Sequence, residues 1–388
     1  MNQLVEVIKN KETTQEEKET AFLEIQKRNM ANNDLVSIRD NIIHLKTIWP
    51  DITTARTTKI IKKIFDIIPS DTSVLANVLG ILGDLIEWAK KDNKNMLRLD
   101  LECKRIYVFI YVGKYHEALE RIKVVVKELK KYDDRPNLIT LYVYESKAYY
   151  KIMNFAKAKS ALTSARTLAV STYCSSELQA QIDLFNGMYL CDERNYLTSF
   201  SYFLEALEGF SVDKKYNEAS ISLRYLILSK IISGRQSEIQ SIYKNKYAVP
   251  HLNDECVKVL LEVSEACQDR SLKKYSDIIV LNKTLIENDV FLKAHLEYLY
   301  DILLEKNIHK LIEPYSIVYI EYIAQKLSFN VEEIEKRVRK MILDKSIKGI
   351  LNHSDMSLII FEEKKVNKYD TECLRTIDAL EKIISINY

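Results

Sequence analysis

The strongest constraint on this chain is a motif that returns about every 40 residues. Ala118 in GKYHEAL, Ala158 in NFAKAKSAL, Ser199 in NYLTSFSYF and Ile239 in GRQSEIQSI hold one position, separated by 40, 41 and 40 residues. Tyr115, Phe155 and Tyr196 stand three residues before it, Leu162 and Phe203 four after it, and Ala165 and Ala206 seven after it. Each copy reads as helix, turn, helix. A small residue opening the second helix lets the first approach closely, and the aromatic residue fills the bend. One hairpin cannot bury its apolar face alone, so the copies must stack. A weaker copy, DRSLKKYSDII, has Tyr275 at the small position, which predicts a capped array there.

The expected fold is therefore an all-α, right-handed, tetratricopeptide-like helical solenoid, with longer helices than the usual repeat of ~34 residues carries. Composition agrees, because 5 prolines and 7 glycines in 388 residues leave few tight turns. Acids and bases nearly balance at a net charge of +2, which argues against a polyanion as obligatory partner. The cysteines (Cys103, Cys174, Cys191, Cys256, Cys267, Cys373) form no CxxC pair, so neither a disulfide framework nor a zinc cage is indicated. MNQLVEVIKNKETTQEEKE lacks a cleavable apolar segment, and no uncharged run reaches the ~18 residues of a membrane span. A soluble intracellular protein with no membrane partner is expected.

Four segments follow from the patterning: N-terminal helical hairpins over 1–94, solenoid repeats over 95–290, a winged-helix part over 291–365 and a C-terminal helix over 366–388. In the first, Thr14-Gln15-Glu16-Glu17 fits a capping box before a helix through Phe22, Leu23, Ile25 and Met30. A second helix carries Leu35, Ile38, Ile42, Leu45 and Trp49 to Pro50, a third Ile60, Ile61, Ile64, Phe65 and Ile68 to Pro69, and a fourth runs from about Ser73 to Lys90. The last segment places Cys373, Ile377, Leu380 and Ile384 at seam-like spacing, with Asp370 or Thr371 as cap; a helix of another chain or its own domain could cover that seam.

Between solenoid and tail, apolar residues fall twice at helical spacing: Ile317, Ile320, Ile323, Ala324 and Leu327, then Val331, Ile334, Val338, Met341 and Ile342. Ser328-Phe329-Asn330 supplies the turn, with Asn330 as cap and Glu332 and Glu333 where the helix dipole favours acids. Two β-rich runs follow, Ile347 to Leu351 and Leu358 to Phe361, separated by Asn352-His353-Ser354-Asp355. Helix, turn, helix and hairpin together predict a winged helix. Lys336, Arg337, Arg339, Lys340, Lys345 and Lys348 raise nucleic acid as a rival partner, but Glu332, Glu333 and Glu335 share that helix and leave only a small basic surplus.

No phosphate loop, HExxH, GxSxG or cysteine–histidine signature is present, and Gly80-Ile81-Leu82-Gly83 lies inside a helical pattern, where packing accounts for it. The histidines (His44, His116, His251, His295, His309, His353) are dispersed, so no catalytic, cofactor or metal residue is expected.

A helical solenoid running into a terminal winged helix is the architecture of PCI-domain proteins. The segments SALTSARTLA (160–169), SYFLEALEGF (201–210), RSLKKY (270–275), LIEPYS (311–316), KMILDKSIKGILN (340–352) and LIIFEE (358–363) resemble the PCI-domain lid subunits of the 26S proteasome, from roughly Asn95 onward. A PCI subunit of the COP9 signalosome shares the LIEPYS-like and ILDxxIxG-like parts. Residues 1–94 match mainly in helical character. Ser175-Ser176 stands where the family tends to have prolines, a departure expected to loosen that hairpin, and the short stretch after the last helix leaves less tail for bundling. The resemblance implies a non-catalytic scaffold of cytoplasm and nucleus. It implies other PCI lid subunits, the α-ring of the core particle and an ATPase subunit as partners, with the winged helices pairing edge to edge and the C-terminal helices bundling. Ile347, Ile350, Leu358, Ile360 and Phe361 are the candidate contacts around the sheet, and Ile377, Leu380 and Ile384 those of the bundle; for each wing residue the domain's own core is the competing assignment.

Overall fold

The computed structural model describes residues 15–31, 35–45, 49, 52–66, 72–242, 244–361 and 368–386. It divides into two units between Val257 and Lys258. The first unit opens with α1 (Gln15–Ala31), α2 (Leu35–Ile43), α3 (Thr54–Asp66) and α4 (Thr72–Lys91), whose core gathers Phe22, Ile42, Leu45, Trp49, Ile60 and Leu82. The second helix was expected to reach Pro50, whereas α2 ends at Ile43 and Leu45 and Trp49 are buried beyond it. Leu45 is again helical, and Trp49 N–H donates to Leu45 O at 2.8 Å. Thr14 and Ile68 lie outside the described residues. Gly80 and Gly83 are inside α4 as expected, but a Cβ at either would meet nothing within 4 Å, so close packing does not account for them.

The solenoid follows as α5 (Asn95–Val112) with α6 (Tyr115–Tyr132), α7 (Arg135–Lys151) with α8 (Phe155–Ser171), and α9 (Ser176–Asp192) with α10 (Tyr196–Val212), then α11 (Tyr216–Ile232). Ala118, Ala158 and Ser199 are fully buried at the fourth position of α6, α8 and α10, and Ile239 is buried as well. The aromatic three residues earlier is the first residue of each of those helices.

Each turn between paired helices is made the same way. Gly113, Met153, Arg194, Gly234 and Arg270, each five residues before the repeat's small position, all adopt a left-handed backbone with φ of +88°, +64°, +63°, +77° and +54°. In each, the next residue's amide donates across the helix end, as Asn154 N–H does to Tyr149 O and Asn195 N–H to Leu190 O, both at about 2.9 Å or closer. This satisfies carbonyls that the helix leaves open. The residues that continue the register without glycine carry the steric cost of a Cβ in that conformation. Met153→Gly and Arg194→Gly should therefore each stabilise the chain by about 0.5–1 kcal/mol, while Gly113→Ala loses a similar amount; urea denaturation followed by circular dichroism reads all three.

The fourth hairpin departs from the others. Its second helix shrinks to a 3-10 turn (Gln236–Glu238) and α12 (Ile239–Ile242), after which a further 3-10 turn at Val249–His251 carries Pro250. Lys244-Asn245-Lys246 follow, and the chain reaches Pro250 within eight residues of Ile242. Ser175 also corrects an expectation. It is the N-cap of α9 and its hydroxyl accepts from Leu178 N–H at 3.4 Å, so the departure from proline supplies a cap instead of loosening the hairpin. Neighbouring hairpins are latched by Ser146, whose hydroxyl donates to Ala158 O at 2.8 Å and lies 2.6 Å from the Tyr189 hydroxyl. All three are buried.

The division between units falls within α13 (Glu255–Gln268). The second unit continues with α14 (Leu272–Leu281), α15 (Lys283–Glu287) and α16 (Val290–Ile312). Tyr275 is buried in α14, its hydroxyl donating to Leu296 O at 2.8 Å. The wing follows as β1 (Ile317–Tyr319), α17 (Ile320–Leu327), α18 (Val331–Leu343), β2 (Gly349–Asn352) and β3 (Ser357–Ile360), and α19 (Lys368–Ile386) is the tail.

Candidate assembly surfaces

The winged helix is held by one core in which Ile308 and Ile312 of α16 meet Val318, Ile320, Ile323, Ile334, Val338, Met341, Ile347 and Leu358. Both helices of the turn place their expected apolar residues in it. Ser328 ends α17 in the left-handed conformation, and Phe329 N–H donates to Ala324 O at 3.0 Å. Asn330 is the N-cap of α18 by position, but its side chain makes no capping bond.

Ile317 was expected to open a helix and instead opens a strand. β1 pairs antiparallel with β3, Ile317 opposite Ile359 and Val318 opposite Leu358. Val318 is 4% exposed while Ile317 and Tyr319 are 57% and 61% exposed, which is the alternation of a half-buried strand. Three apolar residues are too few for either period to show in the sequence. The sheet order is β1-β3-β2, so β3 is enclosed and the two free edges belong to β1 and β2. A Cβ on Gly349 would collide with the Ile359 carbonyl oxygen, so the β2 pairing requires glycine there.

This arrangement sorts the candidate contacts. Ile347 and Leu358 are 4% and 0% exposed and belong to the domain core. Ile360 is half-buried, while Ile350 on the β2 edge and Phe361 just after β3 are exposed. Beside Ile350, a groove of about 450 Å³ between α18 and β2 is lined by Ile342, Leu343, Leu351, Arg339 and His353. At the other edge, Tyr315 and Tyr322 are exposed and their hydroxyls lie 3.5 Å apart; that hydrogen bond holds the Tyr315 phenol above its ordinary pKa. Ile317 and Tyr319 were not anticipated as surface residues, because the helical assignment hid the strand that presents them; Tyr315 just before it and Tyr322 on α17 were not anticipated either.

On α19 every side chain from Glu372 to Glu381 is exposed, including Leu374, Ile377 and Leu380. The helix begins at Lys368, so Asp370 and Thr371 lie inside it rather than capping it. Ile384 falls on the same helix, with its side chain outside the described residues.

The basic face of α18 is smaller than its sequence suggests. Arg337 is paired with Asp301 and Glu305 of α16, and Arg339 with Glu335 one turn away on its own helix. Among the described residues, no group of three or more His, Cys, Asp or Glu side chains could hold a metal ion, and no helix is long and apolar enough to cross a membrane.

Family models match at both ends of the chain. The PCI domain matches residues 272–362, from α14 through the wing, and the N-terminal domain of 26S proteasome regulatory subunit RPN6 matches residues 1–112. The 26S proteasome non-ATPase regulatory subunit 11 of Dictyostelium discoideum is 31% identical over 345 residues, covering 89% of this chain and 83% of the relative. The chain belongs to this family. The Arabidopsis thaliana homolog of non-ATPase regulatory subunit 11 is likewise 31% identical over 353 residues, with 90% of this chain and 83% of the relative aligned. RPN6 of Saccharomyces cerevisiae is 29% identical over 371 residues, 95% of this chain and 86% of its own. Likeness to the RPN6 family therefore reaches through residues 1–94, which had shown only helical character.

Proposed function

We propose that this chain is a non-catalytic scaffold of the lid of the 26S proteasome regulatory particle, clamping lid and base to the core particle. Within its PCI unit the sheet has two unlike free edges, Ile317 and Tyr319 on β1 and Ile350 on β2. An unpaired edge is a template for a strand of another chain. Other PCI lid subunits are the natural occupants, Ile350, Ile360 and Phe361 being the expected contacts on one side. Ile377, Leu380 and Ile384 of α19 would join a helical bundle. The α-ring of the core particle and an ATPase subunit of the base are the proposed partners of the N-terminal unit, and cytoplasm and nucleus the proposed compartments. The observation that carries this reading is the coincidence of those exposed apolar surfaces with membership of the RPN6 family. Affinity purification of the tagged chain from its native cells, followed by mass spectrometry, should recover proteasome lid, base and core subunits together. Recovery of signalosome subunits instead, or of none of these, would refute it.

A further inference from the structure

The wing sheet is apolar on both of its faces. Val318, Leu358 and Leu351 stand opposite one another across the three strands and turn into the domain core. One residue along, Ile317, Ile359 and Ile350 are likewise opposite one another, and strand alternation turns them the other way. Leu358 and Ile360 of the enclosed strand pack in the core, whereas Ile359 between them takes no part in it. Ile317 and Ile350 are exposed and Ile359 is half-buried. Ile360 N–H donates to Ser316 O and Phe361 N–H to Lys348 O, both at 2.8 Å. The pairing therefore continues one step further and sets exposed Tyr315 beside exposed Phe361. Tyr319, also exposed, borders the isoleucine row on its other side.

An antiparallel sheet with one face on a core usually turns polar residues to the other. Here an isoleucine row between aromatic rings stands in that place, and a contiguous apolar surface of this kind marks a contact. Its dimensions suit one helix. The outer two of three strands lie about 10 Å apart, a helix with its side chains is about 10–12 Å wide, and two helical turns match the length of these strands at about 11 Å. A second copy pressed face to face would cover six side chains at about 100 Å² each, roughly 600 Å² and short of the ~800 Å² per partner of a stable complex. A helix already held nearby needs less area of its own. α19 begins at Lys368, six residues beyond Phe361, so its start lies within about 25 Å of this face. Helices bundled with α19 are thereby kept beside the sheet. α19 itself has one apolar row, and the bundle proposed above uses it.

We infer that in the lid the outer face of this sheet seats an amphipathic helix of another chain, a member of the same bundle as α19, lying on Ile317, Ile359 and Ile350. This rests on the scaffold reading and goes beyond it, because strand addition at the β1 or β2 edge leaves Ile359 of the enclosed strand uncovered. The occupant is apolar at i, i+3 or i+4, and i+7, since a charge above Ile359 would be buried without a partner.

Ile359→Cys in the full chain tests this through the rate of maleimide labelling at that position, read by mass spectrometry and normalised to the denatured protein. The rate should fall about tenfold or more when the chain enters the lid, because the thiol is then reached only when the helix lifts. p-Benzoylphenylalanine in place of Tyr319, on the rim of the same face, should cross-link on irradiation to a helix of another lid chain, and it carries the test if Ile359→Cys does not fold. Labelling in the lid within about twofold of the free chain would mean that the edges alone are used, overturning the inference while leaving the scaffold reading intact. Failure of the parent chain to enter a lid would overturn both. Protection of Ile359→Cys already in the free chain, or cross-links to α19, to a second copy or to a strand, would also overturn the inference.

Discussion

Gly187→Ser should lower the melting temperature of this protein by roughly 6–12 °C. Gly187 lies on α9 where it packs closely against α10. A Cβ there would stand 2.5, 2.7 and 2.9 Å from three ring atoms of Phe203. Phe203 is fully buried and its ring is rigid, so neither partner can yield without moving a helix. Overpacking of this kind costs about 3 kcal/mol or more when the core has no slack. A second close approach, Gly209 against Ala180, would lose its packing if the helices parted to make room. The preceding hairpin shows how the fold accommodates a side chain at this place: Ser146 occupies the position equivalent to Gly187, and Leu162 the position equivalent to Phe203. The double substitution Gly187→Ser with Phe203→Leu should therefore recover much of the loss. Thermal denaturation by circular dichroism gives both numbers. If the single variant melts within about 2 °C of the parent, the close approach of α9 and α10 is not what holds this hairpin together.

That pairing of small with large also explains what the sequence made legible. Ala118, Ala158 and Ser199 announced the hairpins because a helix crossing tolerates only a narrow range of volumes, and such a restriction recurs in any chain that repeats the crossing. The left-handed turns were less visible, since Met153 and Arg194 fill a position that glycine marks at 113 and 234. Other features lay beneath the resolution of patterning. Ile317 to Tyr319 is one strand of three residues whose neighbour, β3, is forty residues away, so nothing local distinguishes it from the first turn of a helix. Ile347 and Leu358 read as wing residues, but which face of a short strand turns inward depends on the third strand and on α16, neither of which the hairpin alone reveals. The shortening of the fourth hairpin after Ile242 is legible only in hindsight, as an apolar period that stops.

Replacing both Ile377 and Leu380 with aspartate should abolish incorporation into the lid while leaving the isolated chain folded. The two halves of that expectation have different physical origins. In the free chain both side chains are 53% exposed on α19, so an aspartate at either site buries no charge, and surface changes of this kind usually alter stability by less than ~0.5 kcal/mol. Leu374, 61% exposed one turn earlier, extends the same apolar row. A row of that kind, left exposed among the described residues, binds through burial, and each of two carboxylates carried into such an interface would cost at least the ~1–3 kcal/mol that an unpaired neutral polar group costs in a protein interior. At ~1.4 kcal/mol for each factor of ten, even the lower figure applied twice removes more than tenfold in affinity, and the upper one about ten-thousandfold. Circular dichroism should show unchanged helicity and melting, and a native gel of lid assembled with the variant should lack the band that the parent chain supports. The control is Glu372→Lys with Glu381→Lys, which changes charge on the same helix without touching the apolar row and should assemble. Normal incorporation of the aspartate variant would mean that α19 does not enter the bundle through Ile377 and Leu380, and the lid would then have to be joined through the edges of the winged-helix sheet alone.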